Sequence, residues 1–187
     1  TFTENLPTKF LQHYYVTDWE DYEDGASPTG NQEKQITLKN DDNDTVVVTR
    51  NEEQRSDDYI ERTITLNDKV VLNDVTYLLP WTDTDTGEEK LYHWNLEGGT
   101  TTWDLQDDWA GLANVVVYAL SDQGRGEAVT VPVENGQITL TADAETAYVI
   151  LKGESSKTLK DDFGDEYVTD PGFNGYAGAG ESLDAAD

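Results

Sequence analysis

The chain contains no cysteine. Disulfides, thiolate metal sites and cysteine nucleophiles are therefore excluded. Histidine is nearly absent too. His13 and His93 are the only two, which leaves almost no scope for a metal centre built on several imidazoles. Basic residues are scarce: Lys and Arg total 12 against 39 Asp and Glu, a formal charge of −27 over 187 residues, with a pI near 4.1. A field of that sign repels phosphate backbones and anionic lipid heads, so neither nucleic acid nor a membrane surface is an expected partner. No apolar run approaches the roughly 20 residues that a membrane helix needs. The start, Thr1-Phe2-Thr3-Glu4-Asn5, has no Met, no basic stretch and no apolar core of a leader, and it reads as a cut inside a longer chain.

Aromatic residues are not scarce. Tyr 10, Trp 5 and Phe 4 are too many for a purely solvated polyanion, and many lie in β-branched runs. The length suits one domain of ordinary size, with or without a short appendage, and is enough to bury a sizeable core. The composition suggests an acidic, folded protein of extracellular type. The acidity has plain readings, solubility and a monomeric state or a salt-adapted host.

The hydrophobic period is two. Phe10–Val16 is a first strand candidate. Lys34–Lys39 alternates with Ile36 and Leu38 on one face, and the turn composition Asn40–Asp44 leads into Thr45–Thr49. Ile60–Leu66 alternates again and turns at Asn67-Asp68 into Lys69–Leu72. Thr76–Leu79 is expected to end at Pro80, which cannot donate to a ladder. Leu91–Asn95, Thr100–Leu105, Val115–Leu120, Ala128–Val133, Gln137–Thr141 and Ala147–Leu151 follow. Asn135-Gly136 is the best hairpin signal, because both residues tolerate positive φ.

This pattern predicts an all-β fold of about eleven short strands in two antiparallel sheets packed as a β-sandwich. The closest approach to a helical stripe, Gln106–Leu112, is short. The sandwich is expected over residues 1–153. In residues 154–187 the alternation stops, acids from Glu154 to Asp187 face only Lys157 and Lys160, and Gly is frequent. That segment reads as an irregular acidic tail: a linker, or the truncated start of a further module.

Motifs for phosphate cradles, nucleophile elbows and zinc proteases are missing. Among so many carboxylates, sequence alone cannot identify a pair facing each other across the roughly 5–9 Å a glycosidase needs. No catalytic residue is assigned. Asp83-x-Asp85-x-Gly87 could offer alternate oxygens to Ca²⁺, but the Gly offset is wrong for the twelve-residue calcium loop, and a solvated turn is the preferred reading. No metal or other cofactor is expected. His13 and His93 read as half-buried strand residues.

Trp81, Trp94, Trp103 and Trp109 lie close in sequence, and Tyr92 shares a strand face with Trp94. Aromatic faces stack on sugar rings, so these five residues are candidate carbohydrate contacts. Packing in the core or against another domain is the competing and favoured reading.

Several strings in order are more specific: Glu4–Tyr14, Tyr77-Leu78-Leu79-Pro80-Trp81, Lys90–Asn95, Gly99–Trp103, Tyr118–Arg125 and Ala147–Leu151. Together they resemble glycoside hydrolase family 101, bacterial endo-α-N-acetylgalactosaminidases. The resemblance covers about residues 1–153 and is to the β-sandwich that follows the catalytic (β/α)₈ barrel. It implies a secreted or cell-surface bacterial parent that releases Galβ1-3GalNAc from Ser or Thr of mucin-type O-glycans by retaining hydrolysis. It also implies that the Asp nucleophile and Glu acid/base lie on a barrel this chain lacks. The expected role is a non-catalytic accessory domain, inactive alone and monomeric, whose partners are the barrel and neighbouring modules, with O-glycans as further ligands. The alternative is a freestanding carbohydrate-binding module for galactose or N-acetylgalactosamine glycans. Asp170-Pro171-Gly172-Phe173-Asn174 looks like the opening of a galactose-binding-like module.

Overall fold

The computed structural model describes residues 2–21, 33–51, 62–83 and 86–154. The tail from residue 155 onward, Asp85 and the first residues of the expected strand Ile60–Leu66 lie outside them. The chain opens with helix α1 (Phe2–Leu11), then β1 (Tyr15–Asp21), β2 (Glu33–Lys39), β3 (Thr45–Arg50), β4 (Arg62–Leu66), β5 (Lys69–Asn73), β6 (Thr76–Thr82), β7 (Glu89–Asn95) and β8 (Gly99–Asp104). A single turn of helix, α2 (Asp107–Ala110), precedes β9 (Asn114–Ser121), β10 (Gly124–Arg125), β11 (Val129–Pro132), β12 (Gln137–Ala142) and β13 (Tyr148–Leu151).

Every pairing is antiparallel, and the two layers are unequal. The long sheet runs β1-β2-β3-β4-β5-β6-β7-β13-β9-β10, with β11 also on β9; β8 and β12 pair with each other alone. The last described strand in sequence thus lies inside the sheet, between β7 and β9. Strands β6, β7, β13 and β9 are apolar on both faces because both faces are covered. Tyr77, Leu79, Tyr92, Val116, Tyr118, Val149 and Leu151 enter one cluster, which extends to Leu38, Val46, Ile64 and Leu66 and is plugged by Leu6 and Phe10 of α1. Leu78, Leu91, Val115, Val117 and Ile150 face the other way, onto Trp103, Ile138 and Leu140 of the small sheet and Trp109 of α2. The molecule is the expected all-β antiparallel sandwich.

Three local expectations need correction. Phe10 and Leu11 end a helix, and the strand begins only at Tyr15. Leu6 and Phe10, four apart, lie on one face of α1 and bury together. That single pair, with Pro7 between its members, is too short a stripe to see in sequence. Second, β6 continues through Pro80 to Thr82. Strand β5 pairs with β6 only at Leu72–Tyr77 and Asn73–Thr76, so at Pro80 the one ladder neighbour is β7 and the open side tolerates a missing donor. Third, Asn135-Gly136 does turn the chain with φ of 55° and 74°, and Glu134 and Gln137 exchange backbone hydrogen bonds of 2.9 and 3.0 Å. The flanking strands then part: β11 joins β9 in the large sheet and β12 joins β8 in the small one.

Candidate functional site

An open cleft of about 490 Å³ lies where the end of α1, the β2–β3 and β4–β5 turns, the β6–β7 hairpin stem and α2 meet. Its aromatic lining includes Phe10, His13, Tyr14, Trp81 and Trp109. Trp81 is half-buried and held edge-on by His13, with centroids 5.7 Å apart, and by Tyr92 at 6.4 Å. The Phe10 and Tyr14 rings meet at a tilt of 44°, with centroids 5.2 Å apart. The Tyr14 hydroxyl is pushed up to about 12, by burial first and by the carboxylates of Asp44 and Asp42 second, so it stays a neutral donor.

One rim of the cleft is set by side-chain amides. The Asn40 side-chain oxygen accepts the backbone N–H of Asp42 at 3.1 Å and of Asp44 at 2.9 Å, closing the turn that the sequence Asn-Asp-Asp-Asn-Asp encodes. Asn40 then donates to Asp44 Oδ2 at 3.1 Å, and Asn67 donates to Asp44 Oδ1 at 3.0 Å. Asn67 also accepts the N–H of Thr45 at 3.0 Å. Asn67 can serve both turns because it sits at φ 49°, a left-handed position that Asn tolerates.

The other rim is ionic. Lys152 Nζ lies 2.6 Å from Glu89 Oε1, 3.9 Å from Asp108 Oδ2 and 5.1 Å above the Trp109 ring. The hydrogen bond from Lys152 holds the Glu89 carboxyl below the usual range; partial burial first, and Glu89 second, push Asp108 up. Lys152 thus bridges Glu89 and Asp108, and the two carboxyls are near enough to shift each other's titration. Asp44 has both oxygens occupied by amides. The cleft therefore offers a preorganised polar rim around an aromatic wall. Lys90 is buried in its wall, with its ammonium 5.9 Å from the Tyr92 ring centroid.

The five aromatic residues singled out in the sequence do not form one platform. Tyr92 and Trp94 do share a face, both against the first core cluster, but Tyr92 is fully covered and Trp94 half-buried. Trp103 is buried on the opposite side of the sheet, donating its indole N–H to Thr101 Oγ1 at 2.8 Å. Trp109, 2 % exposed, shows the cleft little more than an edge. Trp81 alone of the five combines partial exposure with a place on the cleft. His13 is exposed at the cleft, whereas His93 is buried between the layers. In the Asp83 turn, Asp83 Oδ1 accepts the Thr86 N–H at 3.1 Å and its carbonyl accepts Gly87 N–H at 2.8 Å. Among the described residues no three of His, Asp and Glu converge to hold a metal ion.

Sequence reasoning missed the Asn40–Asp44–Asn67 staple and the Glu89–Lys152–Asp108 cluster, which join residues far apart in the chain. It also passed over Trp19, the most exposed large apolar residue among those described. Its signal was a tryptophan between Asp18 and Glu20.

Residues 4–126, from α1 to just past β10, match the family model described as the glycosyl hydrolase 101 beta sandwich domain. The chain belongs to this family. A provisionally named endo-alpha-N-acetylgalactosaminidase of Renibacterium salmoninarum is 34% identical to it over 187 aligned positions, 91% of this chain. The chain spans 11% of that protein's length. The family-101 sandwich is therefore a small part of that relative.

Proposed function

We propose that this family-101 sandwich is a non-catalytic accessory domain of a secreted or cell-surface bacterial endo-α-N-acetylgalactosaminidase. The parent enzyme releases Galβ1-3GalNAc from Ser or Thr of mucin-type O-glycans, with the catalytic barrel and neighbouring modules as the sandwich's partners. The supporting observation is the match to the family's β-sandwich. The cleft chemistry agrees: the rim carboxyls of Asp44, Glu89 and Asp108 are held by amides or by Lys152. The sandwich is read as one unit over residues 1–153 and as a monomer, with residues 154–187 leading to whatever module follows. The deciding assay compares the 187-residue chain with the longer polypeptide on an aryl Galβ1-3GalNAc substrate. Turnover by the longer protein and none by the chain is expected; equal turnover would sink the reading.

A second reading is favoured by one residue. Trp81, half-buried on the cleft wall beside the amide rim, could receive the apolar face of a neutral galactose or N-acetylgalactosamine unit. Titration of the chain with Galβ1-3GalNAc while following indole fluorescence tests it. A shift abolished by Trp81→Ala supports glycan binding, and an unmoved spectrum at millimolar sugar removes it.

A further inference from the structure

The edge strand β1 carries Trp19 on an unexpected face. Its register against β2 is Val16 opposite Leu38, then Asp18 opposite Thr37 and Trp19 opposite Ile36. Thr17 is therefore an extra residue, a bulge, with its hydroxyl donating to the Thr37 carbonyl at 3.3 Å. Without it Asp18 would stand opposite Ile36, and Trp19 would project from the other side of the sheet. Residues directly opposite in an antiparallel pair share a face. Leu38 belongs to the first core cluster and Ile36 packs against it, so Val16 and Trp19 continue the core face of the sheet. Yet Val16 is 54 % exposed and Trp19 63 % exposed. The bulge exchanges an aspartate for a tryptophan on an apolar face and leaves that tryptophan uncovered.

We infer that the Val16–Trp19 face of β1 is the seat of a neighbouring module of the same polypeptide. The inference rests on the reading of the sandwich as one module among several. A second copy of this chain is a poor occupant: each carries −27, and β1 adds Asp18 and Glu20 beside the tryptophan, so two such faces repel. Backbone strand addition is also discouraged, because the register breaks at Val16/Asp18 and again at Glu20/Asp21. What fits is an apolar, less acidic surface held nearby by covalent linkage, where a high effective concentration lets a small patch suffice. In the Renibacterium relative most of the chain lies outside the matched stretch, ample to supply it.

Hydroxyl-radical footprinting of the 187-residue chain and of the longer polypeptide that contains it tests this. In the chain alone Trp19 should oxidise faster than buried Trp103 and Trp109. In the longer polypeptide its rate should fall at least about fivefold, toward theirs. Equal Trp19 rates in the two proteins would overturn the inference. So would protection already present in the chain alone, whether concentration-dependent with a doubled mass in light scattering (a second copy) or concentration-independent (cover from its own segments). Trp19→Ser should leave the chain's own melting temperature in place and lower that of the sandwich in the longer polypeptide; a drop in both would make Trp19 an ordinary core residue. Glycosidase activity is scored separately. Protection of Trp19 in a longer polypeptide without endo-α-N-acetylgalactosaminidase activity retires the proposed function and keeps the docking face, and the reverse pattern does the opposite.

Discussion

His93 Nδ1 lies 2.8 Å from the backbone carbonyl oxygen of Tyr77, one strand away, while its Nε2 is buried without a hydrogen-bond partner. The carbonyl fixes the tautomer: Nδ1 carries the proton and donates. The second nitrogen faces an aromatic surround, with Trp103 and Tyr148 centroids at 5.9 and 6.0 Å. Burial lowers the imidazole to about 4, against a smaller upward pull from the Tyr77 carbonyl.

A pH dependence follows. The folded value lies below the unfolded one of about 6.5, so the unfolded chain binds the extra proton first. Stability is full above about pH 6.5 and declines as pH falls toward 4, by about 3 kcal/mol at most from this residue. Urea melts at pH 7.5 and 4.5 should show His93→Phe losing less stability across that interval than the parent chain. An unchanged difference would mean that His93 titrates normally.

Trp109 and Trp81 both touch the cleft, but only Trp109 is a core residue. Trp109→Ala should cost about 3–5 kcal/mol, the usual range for emptying a buried aromatic site. Trp81→Ala, at a half-exposed wall, should cost clearly less. Denaturant midpoints rank the two, and a reversed order would contradict the burial.

The Asn67 staple separates conformation from hydrogen bonding. Asn67→Gly keeps the positive φ and loses the bonds to Asp44 and Thr45, for about 1–2 kcal/mol. Asn67→Ala loses the same bonds and adds left-handed strain of about 1 kcal/mol. Equal melting temperatures for the two variants would show that the backbone conformation contributes nothing.

Lys152 holds the Glu89–Asp108 pair. Removing its ammonium with Lys152→Met should move the Glu89 titration upward, because the hydrogen bond that lowers it is gone. Carboxyl-carbon NMR titration reads this directly. A Glu89 titration unmoved by the substitution would mean that the contact is not populated in solution.

What could be read from the sequence was what short-range sterics decide. Alternation located most of the strands that build both layers, β1 excepted, and Asn67-Asp68 and Asn135-Gly136 turn where their tolerance of positive φ places them. What could not be read depends on partners far along the chain. Nothing near Gln137 tells whether its strand joins β11 or β8. Nothing near Trp103 tells that a second layer covers it, because alternation assigns a face and not its occupancy. The Thr17 bulge is invisible for a related reason: one extra residue breaks the very period by which faces are assigned. Trp81 and Trp19 became distinguishable from their buried counterparts only once the layers were in place.

The interior position of β13 has a consequence for biogenesis. Residues 148–151 leave the ribosome after every other described strand, yet they close the gap between two that were made earlier. Until they arrive, the nascent chain presents two open ladders, at β7 and β9, to any passing strand. Deleting residues 148–151 would thus do more harm than removing either margin of the sheet, because it opens two ladders rather than one.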